Sequence, residues 1–241
     1  MQNVSACIDW GVVFIVKQEW EAYWDNYRYP NSFMRSDIEP FNNPVRVMVA
    51  DLSRLGSSVL DVGCASCISY PLFEDVMDYV GVDFTPKLLK VGKKLEPSVM
   101  AVHGYALQLP FKDGAFDTAF IKDVLEHLGP EAYKTVIAEM WRVVKLQILL
   151  VFYQGLLDKT TFSQKREPDE HNIGVPPYKG LTYYFNRYGR QDIIDTITQL
   201  PQLNSYNIIE NVPREISGDK TRTVVIVKKS KKEGKCCMRD S

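Results

Sequence analysis

Two carboxylates and a turn of small residues carry the first chemical signal. Asp61 closes the aliphatic run Ser58-Val59-Leu60 and opens Asp61-Val62-Gly63-Cys64-Ala65-Ser66-Cys67, and Asp83 closes a second apolar run in Gly81-Val82-Asp83-Phe84. An acid at the tip of a strand accepts hydrogen bonds from ribose hydroxyls, and a turn containing Gly63 and Ala65 lets the backbone come close to a ligand. The pattern predicts a nucleoside-shaped site. A dinucleotide fingerprint requires Gly-x-Gly-x-x-Gly at the opening of a helix, and the segment offers only Gly63 before Ala65 and Cys67. A phosphate loop requires Gly-Lys-Ser or Gly-Lys-Thr, and the chain contains neither.

The elements that must hold these residues alternate. Aliphatic and β-branched runs predict strands at 58–63, 80–84, 99–104, 116–122 and 146–153, with helices near 68–78, 86–95 and 130–144 between them. Such alternation implies a parallel sheet with helices on both faces. Pro130 suits a first helical turn and Glu131 an N-terminal acid, and Tyr133, Val136, Ile137, Met140 and Val144 recur on one helical face. Tyr206–Ile209 and Thr223–Val227 read as two final strands.

The ordered set extends to Leu109-Pro110-Phe111, Phe116-Asp117 and Asp123-Val124-Leu125-Glu126-His127-Leu128. Over roughly residues 57–153 the chain resembles a class I S-adenosylmethionine-dependent methyltransferase of the small, UbiE-like type. The resemblance implies a Rossmann-like, doubly wound, seven-stranded and mostly parallel sheet with an antiparallel edge hairpin formed by the last two strands. It implies S-adenosyl-L-methionine as cofactor, bound by Asp61, Gly63, Cys64, Ala65, Asp83, Phe84, Tyr105, Ala106 and Lys122. Two of the family's three loop glycines are replaced, by Ala65 and by Cys67, and Cys67 is expected to put a sulfur where helix and cofactor approach. Tyr105 stands where the family carries an acid for the adenine amino group. The resemblance also sets Lys122, Asp123 and His127 beside the reacting methyl group. In-line methyl displacement needs mainly a held nucleophile. For a hydroxyl acceptor, Asp123 or His127 is the candidate to take its proton, an imidazole titrating at about 6.5 when unperturbed.

Composition fits one ordinary globular domain: 241 residues, 45% hydrophobic, 24% charged, with 29 Lys and Arg against 30 Asp and Glu and a net charge of −1. That balance gives no global pull toward nucleic acid or an anionic membrane, though a local basic patch stays open. With the resemblance, a small-molecule methyl acceptor is the leading expectation. The five cysteines, Cys7, Cys64, Cys67, Cys236 and Cys237, do not form a disulfide framework, which points to a reducing, cytoplasmic setting. Cys64-x-x-Cys67 has redox and metal spacing, but small buried hydrophobes are the first reading, and no metal is expected. Trp10–Val16 is too short for a membrane span and lacks the basic flank of a signal peptide.

The resemblance implies three regions: residues 1–56 as a helical and aromatic lid segment, unless its aromatics simply cap the core, 57–228 as the methyltransferase core, and 229–241 as a basic tail. The core carries a long insertion at about 155–188, where acceptor choice is expected to reside. Within it, Asp169-Glu170-His171 reads as solvated, and Val175-Pro176-Pro177-Tyr178 lacks the Asn of the Asn-Pro-Pro-Tyr signature. The tail is solvated unless Cys236 or Cys237 is acylated, in which case its lysines would favour an anionic membrane. Oligomeric state has no signal. Two other readings stay open: methylation of protein or nucleic acid, and a non-catalytic relative that keeps the fold as a scaffold.

Overall fold

The computed structural model describes residues 40–74, 77–153, 155–166, 182–213 and 221–230. Its helices are α1 (Pro44–Ser53), α2 (Pro86–Leu95), α3 (Ala132–Val143) and α4 (Arg190–Thr198). Its strands are β1 (Ser58–Val62), β2 (Asp78–Asp83), β3 (Met100–His103), β4 (Phe116–Lys122), β5 (Val144–Tyr153), β6 (Gln164–Arg166), β7 (Thr182–Tyr184), β8 (Leu203–Pro213) and β9 (Thr221–Lys229). Seven strands form one sheet in the order β3-β2-β1-β4-β5-β9-β8. The pairs from β3 through β5 are parallel, and β5–β9 and β9–β8 are antiparallel. The expected parallel sheet with an antiparallel edge hairpin is thus present, and every expected strand appears within a few residues of its expected bounds.

Period-two alternation sorts the strands onto two cores. Leu60, Val62, Val82, Ala119, Ile121, Ile148, Leu150 and Val225 pack against Tyr133, Val136, Ile137 and Met140 of α3 and Ile193 and Ile197 of α4. Val59, Tyr79, Phe120, Leu149, Val151, Val224 and Ile226 pack against Val45, Val49 and Ala50 of α1. Pro44 opens α1 and Asn43 caps it by accepting the Arg46 N–H at 3.2 Å.

Two expectations need correction. The helix expected over 68–78 is absent from the described residues of that stretch, which hold only a 3-10 turn, Tyr70–Leu72. Cys67 is left-handed (φ 57), so a helical course cannot begin before it, and Pro71 lacks the N–H that would continue one. The third long helix begins at Ala132 rather than Pro130: Glu131 is left-handed (φ 66), and the Ala132 N–H closes a turn on the Gly129 carbonyl at 3.1 Å. The insertion after β5 pairs β6 with β7, and α4 follows it. The aromatic segment before residue 40, Asp169-Glu170-His171, Val175–Tyr178 and the tail beyond Ser230 lie outside the described residues. Among the described residues no helix is long and apolar enough to cross a membrane.

Candidate active site

Register carries the polar residues to one end of the sheet. Asp61 pairs with Gly81 and with Phe120, Lys122 with Val151, and Tyr153 with Arg222. Because side chains alternate, Asp83, Asp61, Lys122, Tyr153 and Arg222 fall on one face, each at the end of an apolar column. They form a polar stripe across five neighbouring strands, at the carboxyl ends of the four parallel-running ones. This is where open α/β sheets bind ligands. Arg46, from α1, adds a guanidinium to the same end and donates from Nη1 to Ser69 Oγ at 2.6 Å.

The loop after β1 keeps three left-handed residues at alternating positions, Gly63 (φ 75), Ala65 (φ 51) and Cys67 (φ 57). The backbone path therefore survives the loss of two glycines, with strain at the two side-chain-bearing positions. Gly63 has no alternative, since a Cβ there would stand 2.4 Å from Val124 Cγ2. The Gly63 and Cys64 N–H groups both reach the Val82 carbonyl, at 2.8 and 3.2 Å. Cys67 departs from expectation: it is 1% exposed, and its sulfur lies beneath the loop against Cys64 and the bare backbone of Gly81, not at a helix–cofactor contact.

Asp83 is buried at the tip of β2. Its Oδ2 accepts the Ala65 N–H at 2.9 Å and its Oδ1 the Thr85 N–H at 2.8 Å. Burial raises its pKa, and the two N–H bonds pull back against that rise. A carboxylate has about four lone-pair sites, so each oxygen keeps capacity for a hydroxyl. Asp61 lies deeper. Burial pushes its carboxyl up to about 6, opposed chiefly by the Tyr79 hydroxyl, which donates to it at 2.6 Å. Phe84 and Tyr105 are half-buried beyond β2 and β3. The His103 ring joins them, bonded through Nε2 to the Phe84 carbonyl at 3.1 Å and edge-on to Tyr105 at 5.6 Å. Ala106 packs on the core. Arg142 of α3 donates to the carbonyls of Leu109 and Phe111 at 3.1 and 2.8 Å, fixing the Leu109-Pro110-Phe111 turn below them. Asp117 stands at the amino end of β4 and accepts the Ser57 N–H at 2.8 Å; it ties β1 to β4 and is remote from the stripe.

Beyond β4 the arrangement differs from a simple acid–base pair. Asp123, left-handed (φ 55), receives Lys122 Nζ at 2.5 Å and Arg222 Nε at 2.8 Å. Burial would raise its pKa, but the two cations hold the carboxyl far below its ordinary range. Burial lowers Lys122 to about 8. His127 is lowered by burial, and its Nδ1 faces the Tyr184 carbonyl at 3.1 Å. A carbonyl only accepts, so Nδ1 carries the hydrogen and Nε2 is the acceptor nitrogen of a neutral ring.

Two residues here are absent from the expected set. Glu126 is 1% exposed, both its carboxyl oxygens lack a hydrogen-bond partner, and burial, reinforced by Asp123, pushes it up to about 8. Arg222 is wholly buried, with its guanidinium carbon 3.8 Å from the Tyr153 ring centre and its Nη2 unpartnered. From Tyr153 the aromatic contacts continue to Phe185 at 5.3 Å and from Phe185 to His127 at 5.9 Å. Period-two spacing of Arg222 with Val224 and Ile226 was the one sequence signal for Arg222. For Glu126 the signal was an acid in an otherwise apolar Val124–Leu128 stretch.

Residues 60–152 match the family described as a methyltransferase domain. A demethylmenaquinone methyltransferase of Renibacterium salmoninarum is 37% identical over 91 residues, covering 37% of this chain and 38% of that protein. One from Lysinibacillus sphaericus is 34% identical over 139 residues, covering 54% and 57%. The chain thus spans between 38% and 57% of the length of these relatives. Among solved structures, the 1,6-didemethyltoxoflavin-N1-methyltransferase of Burkholderia thailandensis, crystallised with 1,6-didemethyltoxoflavin and S-adenosylhomocysteine, superposes with a TM-score of 0.59 at 12% identity, over 91% of this chain and 89% of that one. The expected resemblance is met: residues 60–152 match the methyltransferase-domain family, and the sheet has the Rossmann-like fold seen in that solved methyltransferase.

Proposed function

We propose that this chain is an S-adenosylmethionine-dependent methyltransferase acting on a small, planar acceptor in the cytoplasm. The observation that carries the cofactor assignment is Asp83: a buried carboxylate at a strand tip, bonded to Ala65 at the apex of a loop with three left-handed residues and keeping acceptor capacity on both oxygens. The residues present fit the cofactor. Asp83 would hold the ribose hydroxyls, the half-buried Phe84, Tyr105 and Ala106 would flank the adenine, and the Gly63-Cys64-Ala65 backbone would face the amino-acid end, with Asp61 and Lys122 below it. S-adenosylmethionine supplies a methyl carbon activated by a positive sulfur.

The rest is done by side chains of the chain itself. Tyr153, Phe185 and His127 offer aromatic faces on the β5 side of the stripe, suited to a flat ring. This agrees with the small-molecule names of the relatives and with a net charge of −1. Asp123, clamped by Lys122 and Arg222, is too weak a base to take a proton and instead holds those two cations in place. His127 Nε2, the acceptor nitrogen of a neutral ring, is better matched. Glu126, buried and protonated at neutral pH, precedes it as a neutral acid.

Calorimetric titration with S-adenosylmethionine, alongside Asp83→Ala, tests the reading. Micromolar binding, about −8 kcal/mol, that is lost in the variant supports it. Absent binding by the intact protein, or equal binding by the variant, refutes it and favours the scaffold reading.

A further inference from the structure

The Cys64–Cys67 pair is absorbed by none of these roles. Its sulfurs stand 3.6 Å apart, with Cys64 5% and Cys67 1% exposed. The strand beneath is cut away for them: a Cβ on Gly81 would lie 2.7 Å from Cys64 Sγ and 2.9 Å from Cys67 Sγ. Cys67 accepts a left-handed backbone that costs about 1–2 kcal/mol for a residue with a Cβ. What a glycine could not deliver at that position is the second sulfur.

The pair is also wired to the ribose-binding acid. Ala65 lies between the two cysteines and gives its N–H to Asp83 at 2.9 Å, while Cys67 N–H closes the turn on the Cys64 carbonyl at 2.8 Å. A disulfide requires its sulfurs at about 2.05 Å, so bonding the pair draws the two sulfurs together by roughly 1.5 Å. That contraction is taken up by a turn whose apex is Ala65.

We propose that Cys64 and Cys67 form a redox modification site, at which a peroxide closes an intramolecular disulfide that pulls the Ala65 N–H off Asp83 and weakens cofactor binding. In the first step one thiol sulfur attacks a peroxide oxygen. An S–O bond forms, the O–O bond breaks, and one water leaves. The second sulfur then displaces that oxygen: an S–S bond forms, the S–O bond breaks, and a second water carries off the remaining thiol hydrogen. The sulfurs together lose two electrons and the peroxide gains two. Burial selects a small oxidant over a bulky disulfide. Burial also pushes the Cys64 thiol well above its usual range, which slows its own attack on peroxide.

The effect on binding rests on the cofactor reading above; the chemistry of the pair does not. The test uses the full chain with Cys7, Cys236 and Cys237 changed to Ser, leaving two thiols. Hydrogen peroxide is added, thiols are counted, the disulfide is mapped on peptides, and binding of S-adenosylhomocysteine is measured by calorimetry. The expected result is joint loss of both thiols, a Cys64–Cys67 linkage, and a Kd raised by about tenfold or more and restored by dithiothreitol. Cys67→Gly in the same background is expected to bind identically with and without peroxide. A mapped disulfide that leaves Kd within about twofold overturns the switch, as does oxidation that yields sulfinic acid with no linkage. A reduced protein that binds no S-adenosylhomocysteine overturns the cofactor reading and the switch with it, while the peptide map still decides whether the dithiol site exists.

Discussion

Glu126→Gln is expected to stabilise the protein, and to do so only where the wild-type carboxyl is under pressure to ionise. Glu126 is fully buried without partners for either oxygen, and its pKa rises from 4.5 to about 8. The unfolded chain therefore sheds the proton at a lower pH than the folded one, and the folded state binds more protons between those two values. Stability falls as pH rises across that window and levels off above it. Each pKa unit is worth about 1.36 kcal/mol, so between pH 5 and pH 8 the wild type loses roughly 3 kcal/mol through this one group. Gln is nearly isosteric and cannot ionise. The variant and wild type should then be nearly equal at pH 5, and the variant more stable by about 3 kcal/mol at pH 8. Urea unfolding followed by tryptophan fluorescence at the two pH values measures the difference, and the raised pKa values of Asp61 and Asp83 cancel in it. A stability gain independent of pH, or none at pH 8, would refute the assignment of Glu126 as a neutral buried acid.

Two further substitutions probe the neighbouring devices. Arg222→Met removes one of the two cations on Asp123 and the ring contact with Tyr153; losing that charge-assisted bond to a carboxylate 27% exposed should cost about 1.5–3 kcal/mol, read from the urea midpoint at pH 7. Ala65→Gly relieves a left-handed alanine (φ 51) and should raise stability by about 1 kcal/mol in the same assay while retaining the N–H bond to Asp83.

The sheet was legible because its central strands are buried on both faces and read as near-continuous aliphatic runs, from Val59-Leu60 to Ile148–Val151. Helix α2 was legible to the residue, since Pro86 marks its first turn and Leu88, Leu89 and Gly92 bury one side. The loop acids were legible through their spacing. What escaped is what depends on register or on local dihedrals. Ile68, Leu72, Phe73 and Met77 are spaced like a helical face, yet the left-handed Cys67 and Pro71 leave only a 3-10 turn. Arg222 opens a strand and looks like a solvated end until antiparallel pairing with Tyr153 carries it into the stripe. Glu126 looks like the exposed acid of a short turn, and only the packing of the turn after β4 removes it from water.

The costs in this domain gather at one end of the sheet, and that distribution is itself an argument for function there. Of the left-handed residues with a Cβ among those described, Ala65, Cys67 and Asp123 follow β1 or β4 directly. Beside them lie an acid kept protonated at neutral pH and a guanidinium with an unused N–H. Each costs roughly 1–3 kcal/mol. Ordinary folding would replace them with glycine, glutamine or an apolar side chain, as the substitutions above do. Several such costs surround Asp83, Lys122 and Tyr153 at the carboxyl ends of β1, β2, β4 and β5, the end proposed above to bind the cofactor, whereas Asp117 and its bonds to Ser57 tie β1 to β4 at the opposite end.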